Sequence, residues 1–225
     1  MTATMMFLST MRQRFSDLRL SQRAAHAKSF SQILREPANS APRLVPTPLV
    51  FVSASEWHAP NRFRHGFARM YPDKGYTCLD VDIHLPAEGT NQSKTLMEYF
   101  ESQLRSAIRL TTIPFAPVIF ARDAACLIAQ TYISSHPATG LVLISPPPSN
   151  DAAVKSGILP TSLPEYDFEP TFPIVVVSTP SQMEVLRKEH RLLRDPQAVD
   201  TIVVDDVEGQ DAFVKIEEWL DRIGV

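Results

Sequence analysis

Short apolar runs, each followed by a helix-like segment, set the tightest limit on what this chain can fold into. Leu49–Ser53, Tyr76–Ile83, Val118–Phe120, Gly140–Ser145, Ile174–Val177 and Thr201–Val204 are brief and rich in β-branched or aromatic residues. Continuous apolar runs of that length read as strands buried on both faces. Between them, residues 61–71, 93–110, 126–135, 182–193 and 210–223 place apolar side chains at helical spacing; Leu96, Tyr99, Phe100, Leu104 and Ile108 are one such stripe. Strand and helix in alternation predict an α/β fold, a mostly parallel sheet with helices on both faces. Residues 150–173 show no period and read as a connecting excursion.

One junction carries more information than the others. Pro117-Val-Ile-Phe-Ala-Arg-Asp-Ala-Ala-Cys126 passes from strand to helix with no loop between. A sharp strand-to-helix turn of this kind holds one side chain above the sheet, and it needs small residues two before and two after the central one. Ala121 and Ala125 meet that need, and Asp123 stands at the centre. Asp is among the few residues other than glycine that accept a positive φ, so its presence has a steric reading as well as a chemical one.

Composition narrows the function. Hydrophobic residues make up 44% of 225 and charged residues 21%, the balance of a globular domain. Cys78 and Cys126 lie inside apolar runs and match no disulfide or metal spacing. The chain has no G-x-G-x-x-G, P-loop or H-E-x-x-H pattern, so neither a cofactor nor a metal is expected. No apolar run reaches the ~18 residues of a membrane span.

The first 40 residues differ from the rest. Six of the 22 basic residues and one of the 25 acidic ones fall in residues 1–35, among many serines and threonines and an apolar helical face. An arginine-rich, serine-rich, acid-poor amphipathic segment is the profile of a mitochondrial transit peptide, with a retained N-terminal arm on a cytoplasmic protein as the alternative. Without it, 16 basic and 24 acidic side chains remain, a balance that argues against nucleic acid. Residues 36–48 read as a linker, which leaves 46–225 as the folded body.

Over that body the order of motifs resembles the α/β-hydrolase superfamily. Leu49-Val-Phe-Val52 with Trp57 resembles the strand and loop of the oxyanion hole. Gly75-Tyr76 into Leu79-Asp-Val-Asp82 resembles the next strand, Ala121–Ala125 the nucleophile elbow, Gly140–Ser145 the strand after it, and Ile202–Trp219 the last strand, histidine loop and final helix. The resemblance implies a nucleophile, a base and an acid, with residues 150–173 as a reduced lid.

This chain departs from that pattern at each catalytic position. Asp123 replaces the usual serine or cysteine. Ser178-Thr-Pro-Ser181 occupies the acid position, Gly209-Gln210 the histidine position, and Ser53-Ala54 the oxyanion loop; no histidine follows His190. Two functions follow. One is a non-catalytic relative with a binding or assembly role, its partner a protein or a small apolar ligand. The other is a hydrolase of epoxides, haloalkanes or esters that attacks with Asp123, as some members do, and takes His84 as an unorthodox base. Glu208, beside the vacant histidine position, and Asp151, where some members keep their acid, are weaker candidates. His58 and His65 read as packing residues near Trp57. Asp80 and Asp82 are expected on opposite faces of their strand, one a strand-end contact and the other a loop anchor. Tyr166, Phe168 and Phe172 are expected either to cap the pocket or to form an exposed apolar patch.

Overall fold

In the computed structural model, which describes residues 29–57, 63–195 and 197–225, seven strands form one sheet in the order β1-β3-β2-β4-β5-β6-β7. They are β1 (Phe30–Arg35), β2 (Val45–Ser53), β3 (Tyr76–Ile83), β4 (Val118–Arg122), β5 (Gly140–Ile144), β6 (Ile174–Ser178) and β7 (Asp200–Val203). β1 runs antiparallel to β3, and every other pairing is parallel. The α/β class and mostly parallel sheet read from the sequence are therefore present.

The helices lie on both faces. Val50, Val52, Val81, Ile119, Leu141 and Val176 project to a side covered by α2 (Ser93–Leu110), α3 (Ala125–Ile133) and α5 (Pro180–Glu189). Leu49, Phe51, Cys78, Phe120, Val142 and Val175 project to the other, against α1 (Phe63–Met70) and α6 (Gln210–Arg222). Strand side chains alternate between faces, so a run apolar at every position is what such a two-sided core selects.

The sheet reaches further back than the apolar runs suggest. β1 lies within the segment set apart as basic, and β2 starts at Val45, inside the stretch read as a linker. Phe30-Ser-Gln-Ile-Leu-Arg35 is an edge strand with four exposed residues, so its polar content leaves no signature of burial. Val45 then donates its N–H to the Gly75 carbonyl at 2.9 Å. Gly75 sits at φ 97°, where a Cβ would lie 2.0 Å from the Arg43 carbonyl oxygen; the turn before β3 admits glycine alone.

Two further differences are local. The excursion contains a short helix, α4 (Asn150–Lys155), capped by Ser149 Oγ accepting from the Ala152 N–H at 3.0 Å. The helix expected over 182–193 begins at Pro180 and ends at Glu189. His190 is extended there, and its Nδ1 accepts from the Leu192 N–H to start a separate 3₁₀ turn.

Candidate functional site

In the strand order, β3 and β4 flank β2 although they follow it in sequence, so the chain switches direction across the sheet at β2 and β4. Ligands of open α/β sheets bind outside the carboxyl ends of the strands at such a switch point. Asp123 stands at the end of β4, and Ser53 ends β2.

Asp123 has φ 50°, in the left-handed region. Its N–H donates to the Ile144 carbonyl at 2.9 Å, and its carbonyl accepts the Cys126 N–H at 3.1 Å, so strand pairing passes into the first turn of α3 within three residues. Ala121, Ala124 and Ala125 are all buried around it, which is the close approach that selected small side chains. Cys126, behind the turn, is fully buried, and burial pushes its thiol well above the usual range; it is packing, not a spare nucleophile. Ser145, at the end of β5, repeats the device: φ 49°, with its N–H donated to the Val177 carbonyl at 2.8 Å. Nothing in the Ile-Ser-Pro context signals that conformation.

The charges around Asp123 form a chain. Arg122 Nε lies 3.1 Å from Asp123 Oδ2, an ion pair by distance, though its angle does not suit a hydrogen bond. The same guanidinium donates through Nη1 to Glu208 Oε1. Glu208 is in the loop after β7, fixed by its N–H on Asp206 Oδ1 at 2.9 Å. The sequence placed Glu208 beside the vacant histidine position; the link through Arg122 was not foreseen, since the two are 86 residues apart.

The other sequence candidates have separate partners. His84 Nδ1 lies 2.9 Å from Glu56 Oε1, and Glu56 Oε2 accepts the Leu85 N–H at 3.2 Å. The hydrogen bond with His84, then that from Leu85, holds the Glu56 carboxyl below its usual range. At the end of β6, Ser178 is fully buried and its Oγ donates to Gln182 at 2.9 Å. Asp151 is exposed in the first turn of α4. His58 lies outside the described residues, and so does the side chain of His65.

Asp80 and Asp82 require a correction. Two residues apart on one strand, they share the face of Cys78 instead of occupying opposite faces. Their partners separate them, along the lines of the expected roles. Asp80 is 3.4 Å from Arg35 on the edge strand. Asp82, 7% exposed, accepts the Ser53 Oγ at 3.0 Å, the Ser55 N–H at 2.9 Å and the Ser55 Oγ at 2.7 Å. It anchors the loop after β2.

The excursion aromatics are not an exposed patch. Tyr166 donates to the Leu127 carbonyl at 2.9 Å, Phe168 lies under Arg191 with its guanidinium carbon 4.3 Å from the ring centre, and both pack with Phe172 on the core beside α3. A cavity of about 270 Å³ opens nearby between the loops after β2 and β3 and is bordered from the excursion by Pro160; no elbow residue lines it. Among the described residues no His/Cys/Asp/Glu group is placed to hold a metal ion, and no helix is long and apolar enough to cross a membrane.

No family model matches the sequence, and no curated protein does. Solved structures match over most of the chain. A soluble variant of monoglyceride lipase from Saccharomyces cerevisiae superposes with a TM-score of 0.58 at 8% identity, over 87% of this chain and 92% of that one. An α/β hydrolase enzyme from a sediment metagenome of the Mar Chica lagoon gives 0.56 at 14%, over 88% and 97%. Monoacylglycerol lipase from Paleococcus ferrophilus gives 0.55 at 14%, over 87% and 99%.

The chain has an α/β-hydrolase fold. At such identities the likeness concerns the fold alone. Within that fold, Asp123 stands at the strand-to-helix turn after β4, Glu208 in the loop after β7, Ser178 at the end of β6, and Ser53–Ser55 at the end of β2 and the start of its loop.

Proposed function

We propose that this protein is a non-catalytic member of the α/β-hydrolase fold with a binding or assembly role, delivered to mitochondria by its basic N-terminal segment. The observation that carries the first part is the Asp123–Arg122–Glu208 chain. A carboxylate nucleophile needs no base for its attack, but hydrolysis of the resulting ester needs a proton acceptor, whose loss typically costs about 10²–10⁴-fold. The side chain nearest that role, Glu208, is occupied by a guanidinium. His84 pairs through Nδ1 with Glu56, which leaves its Nε2 as the base that the alternative reading, a carboxylate-nucleophile hydrolase, would use. Asp123 itself has a sufficient conformational reason to be there.

Incubation of the purified protein with ester, thioester, epoxide and haloalkane substrates, followed by intact-mass measurement, tests the reading. The expected result is no turnover above buffer and no covalent adduct. Turnover abolished by Asp123→Ala would replace this function with that of a carboxylate-nucleophile hydrolase. The mitochondrial part rests on the composition of residues 1–35 and is tested by fusing residues 1–40 to a fluorescent protein. Diffuse cytoplasmic fluorescence would overturn it.

A further inference from the structure

The geometry points to a preformed binding site for an uncharged apolar small molecule in the cavity beside Trp57, separate from the elbow. It deepens the binding role proposed above and rests on it for its purpose, though not for its existence.

The walls come from four stretches of chain. Trp57 follows β2, Leu85, Pro86, Gly89 and Thr90 follow β3, Leu96 is in the first turns of α2, and Pro160 belongs to the excursion. Loops that met only through apolar contact would collapse into such a space. Here they are fastened to one another. Trp57 Nε1 donates to the Ile158 carbonyl at 3.1 Å, tying the first wall to the excursion. Glu56 ties the same loop to His84 and Leu85. The buried Ser93 ties α2 to the excursion three times over: its N–H donates to Thr161 Oγ1 at 3.0 Å, its Oγ donates to the Thr161 carbonyl at 2.6 Å, and its Oγ accepts the Thr161 N–H at 2.9 Å. Trp57 is further held against Phe100 of α2, ring centres 5.0 Å apart. A space kept open by polar fastenings outside it and lined by apolar groups inside it is preorganised for a ligand, and preorganisation lowers the ordering cost of binding.

The chemistry of the lining selects the ligand. The Trp57 indole N–H is already satisfied by Ile158, and Thr90 Oγ1 is within 3.4 Å of Gln92 backbone atoms. Among the described residues no charged side chain lines the cavity, and the nearby carboxylates of Glu56 and Glu88, on exposed loop residues, disfavour an anion at its mouth. An apolar cavity of about 150 Å³ holds benzene. About 270 Å³ therefore suits an aromatic of two or three rings, a small terpenoid or a medium-length alkyl chain.

The probe for the test is 1-N-phenylnaphthylamine, which is neutral and becomes fluorescent in apolar surroundings. Titrated into the full chain, it is expected to bind saturably at one site. Gly89 lines the cavity, and a Cβ built there meets nothing within 4 Å, so Gly89→Phe adds a ring at the wall with no clash at its Cβ. That variant is expected to weaken binding by about tenfold or more with an unchanged melting temperature. Should it fold poorly, Leu85→Glu places a carboxylate on the wall from a residue already 40% exposed, with the same expected loss. Octan-1-ol is expected to displace the probe at least about tenfold better than octanoate. Absent saturable binding, binding unchanged in the folded variants, or equal displacement by octanoate each overturns the assignment. Turnover of an ester substrate bears on the inert elbow alone and is measured apart.

Discussion

Arg122 and Glu208 join the end of β4 to the loop after β7, so the residue that flanks Asp123 is fastened to a loop at the far edge of the sheet. The side chains are 20% and 35% exposed, which limits what the contact adds to stability. A double-mutant cycle with Arg122→Gln and Glu208→Gln is expected to give a coupling energy of about 0.5–1 kcal/mol in urea denaturation. Additive effects would mean that the pair is incidental, and that Glu208 is available for other chemistry.

Asp123 is a conformational choice before it is a chemical one. With φ at 50°, any residue bearing a Cβ is strained, and Asp and Asn least. Asp123→Asn and Asp123→Gly are expected to stay within about 0.5 kcal/mol of the parent, whereas Asp123→Val costs about 2 kcal/mol or more. Equal losses for Gly and Val would show that the carboxylate, not the backbone, sets the residue here.

How far these features were legible in the sequence depends on whether their cause is local. The two-sided burial of β2 to β6 is written into every residue of those runs, and the elbow shows because Ala121, Asp123 and Ala125 are chosen by a turn five residues long. β1 was missed because an edge strand has one partner and keeps its serine and glutamine in water. Asp80 and Asp82 were given opposite faces, against the two-residue period of a strand; their partners, Arg35 and the Ser53–Ser55 loop, lie 27 to 45 residues away in sequence. The cavity was invisible for the same reason: its fastenings, Trp57 to Ile158 and Ser93 to Thr161, pair residues with no sequence relation.

Asp82 is the anchor of the loop that carries Trp57. Asp82→Ala removes an acceptor from the Ser53 hydroxyl and from the N–H and hydroxyl of Ser55. The expected loss is about 1–3 kcal/mol, since hydrogen bonds to a carboxylate exceed neutral ones, while Ser53 Oγ still reaches the Val81 carbonyl at 3.2 Å and exposed Ser55 turns to water. Asp82→Asn keeps one acceptor oxygen and is expected to recover about half. Chemical denaturation measures both, and a loss below about 0.5 kcal/mol for Asp82→Ala would remove the anchoring role.

Truncation distinguishes a removable leader from the sheet. Deleting residues 1–28 keeps all seven strands of the sheet and serves as the reference. Deleting residues 1–36 strips β1, opens the buried edge of β3 and takes Arg35 from the buried Asp80 carboxylate. With the edge of β3 bare and this pair lost, that chain is expected to be markedly less stable or to aggregate. Were the proposed transit segment cleaved, a cut compatible with the fold would lie before Phe30, which the N-terminal mass of the protein recovered from cells checks. Equal stability of the two truncations would show that β1 is dispensable.

His190 makes stability fall with acid. Burial, reinforced by the neighbouring Arg191 charge, lowers its imidazole from the ordinary 6.5 to about 4. The folded state then binds fewer protons than the unfolded state between those values. Its contribution is complete above about pH 6.5, is lost progressively as pH falls toward 4, and changes no further below that. The full span corresponds to roughly 3 kcal/mol. His190→Asn retains a side-chain acceptor for the Leu192 N–H but has no proton to take up. Urea denaturation of both proteins between about pH 7.5 and 4.5 is expected to show the parent losing about 2–3 kcal/mol more than the variant. Parallel pH profiles would mean that the imidazole takes up its proton over the same pH range in the folded and unfolded protein, its burial relieved by a partner.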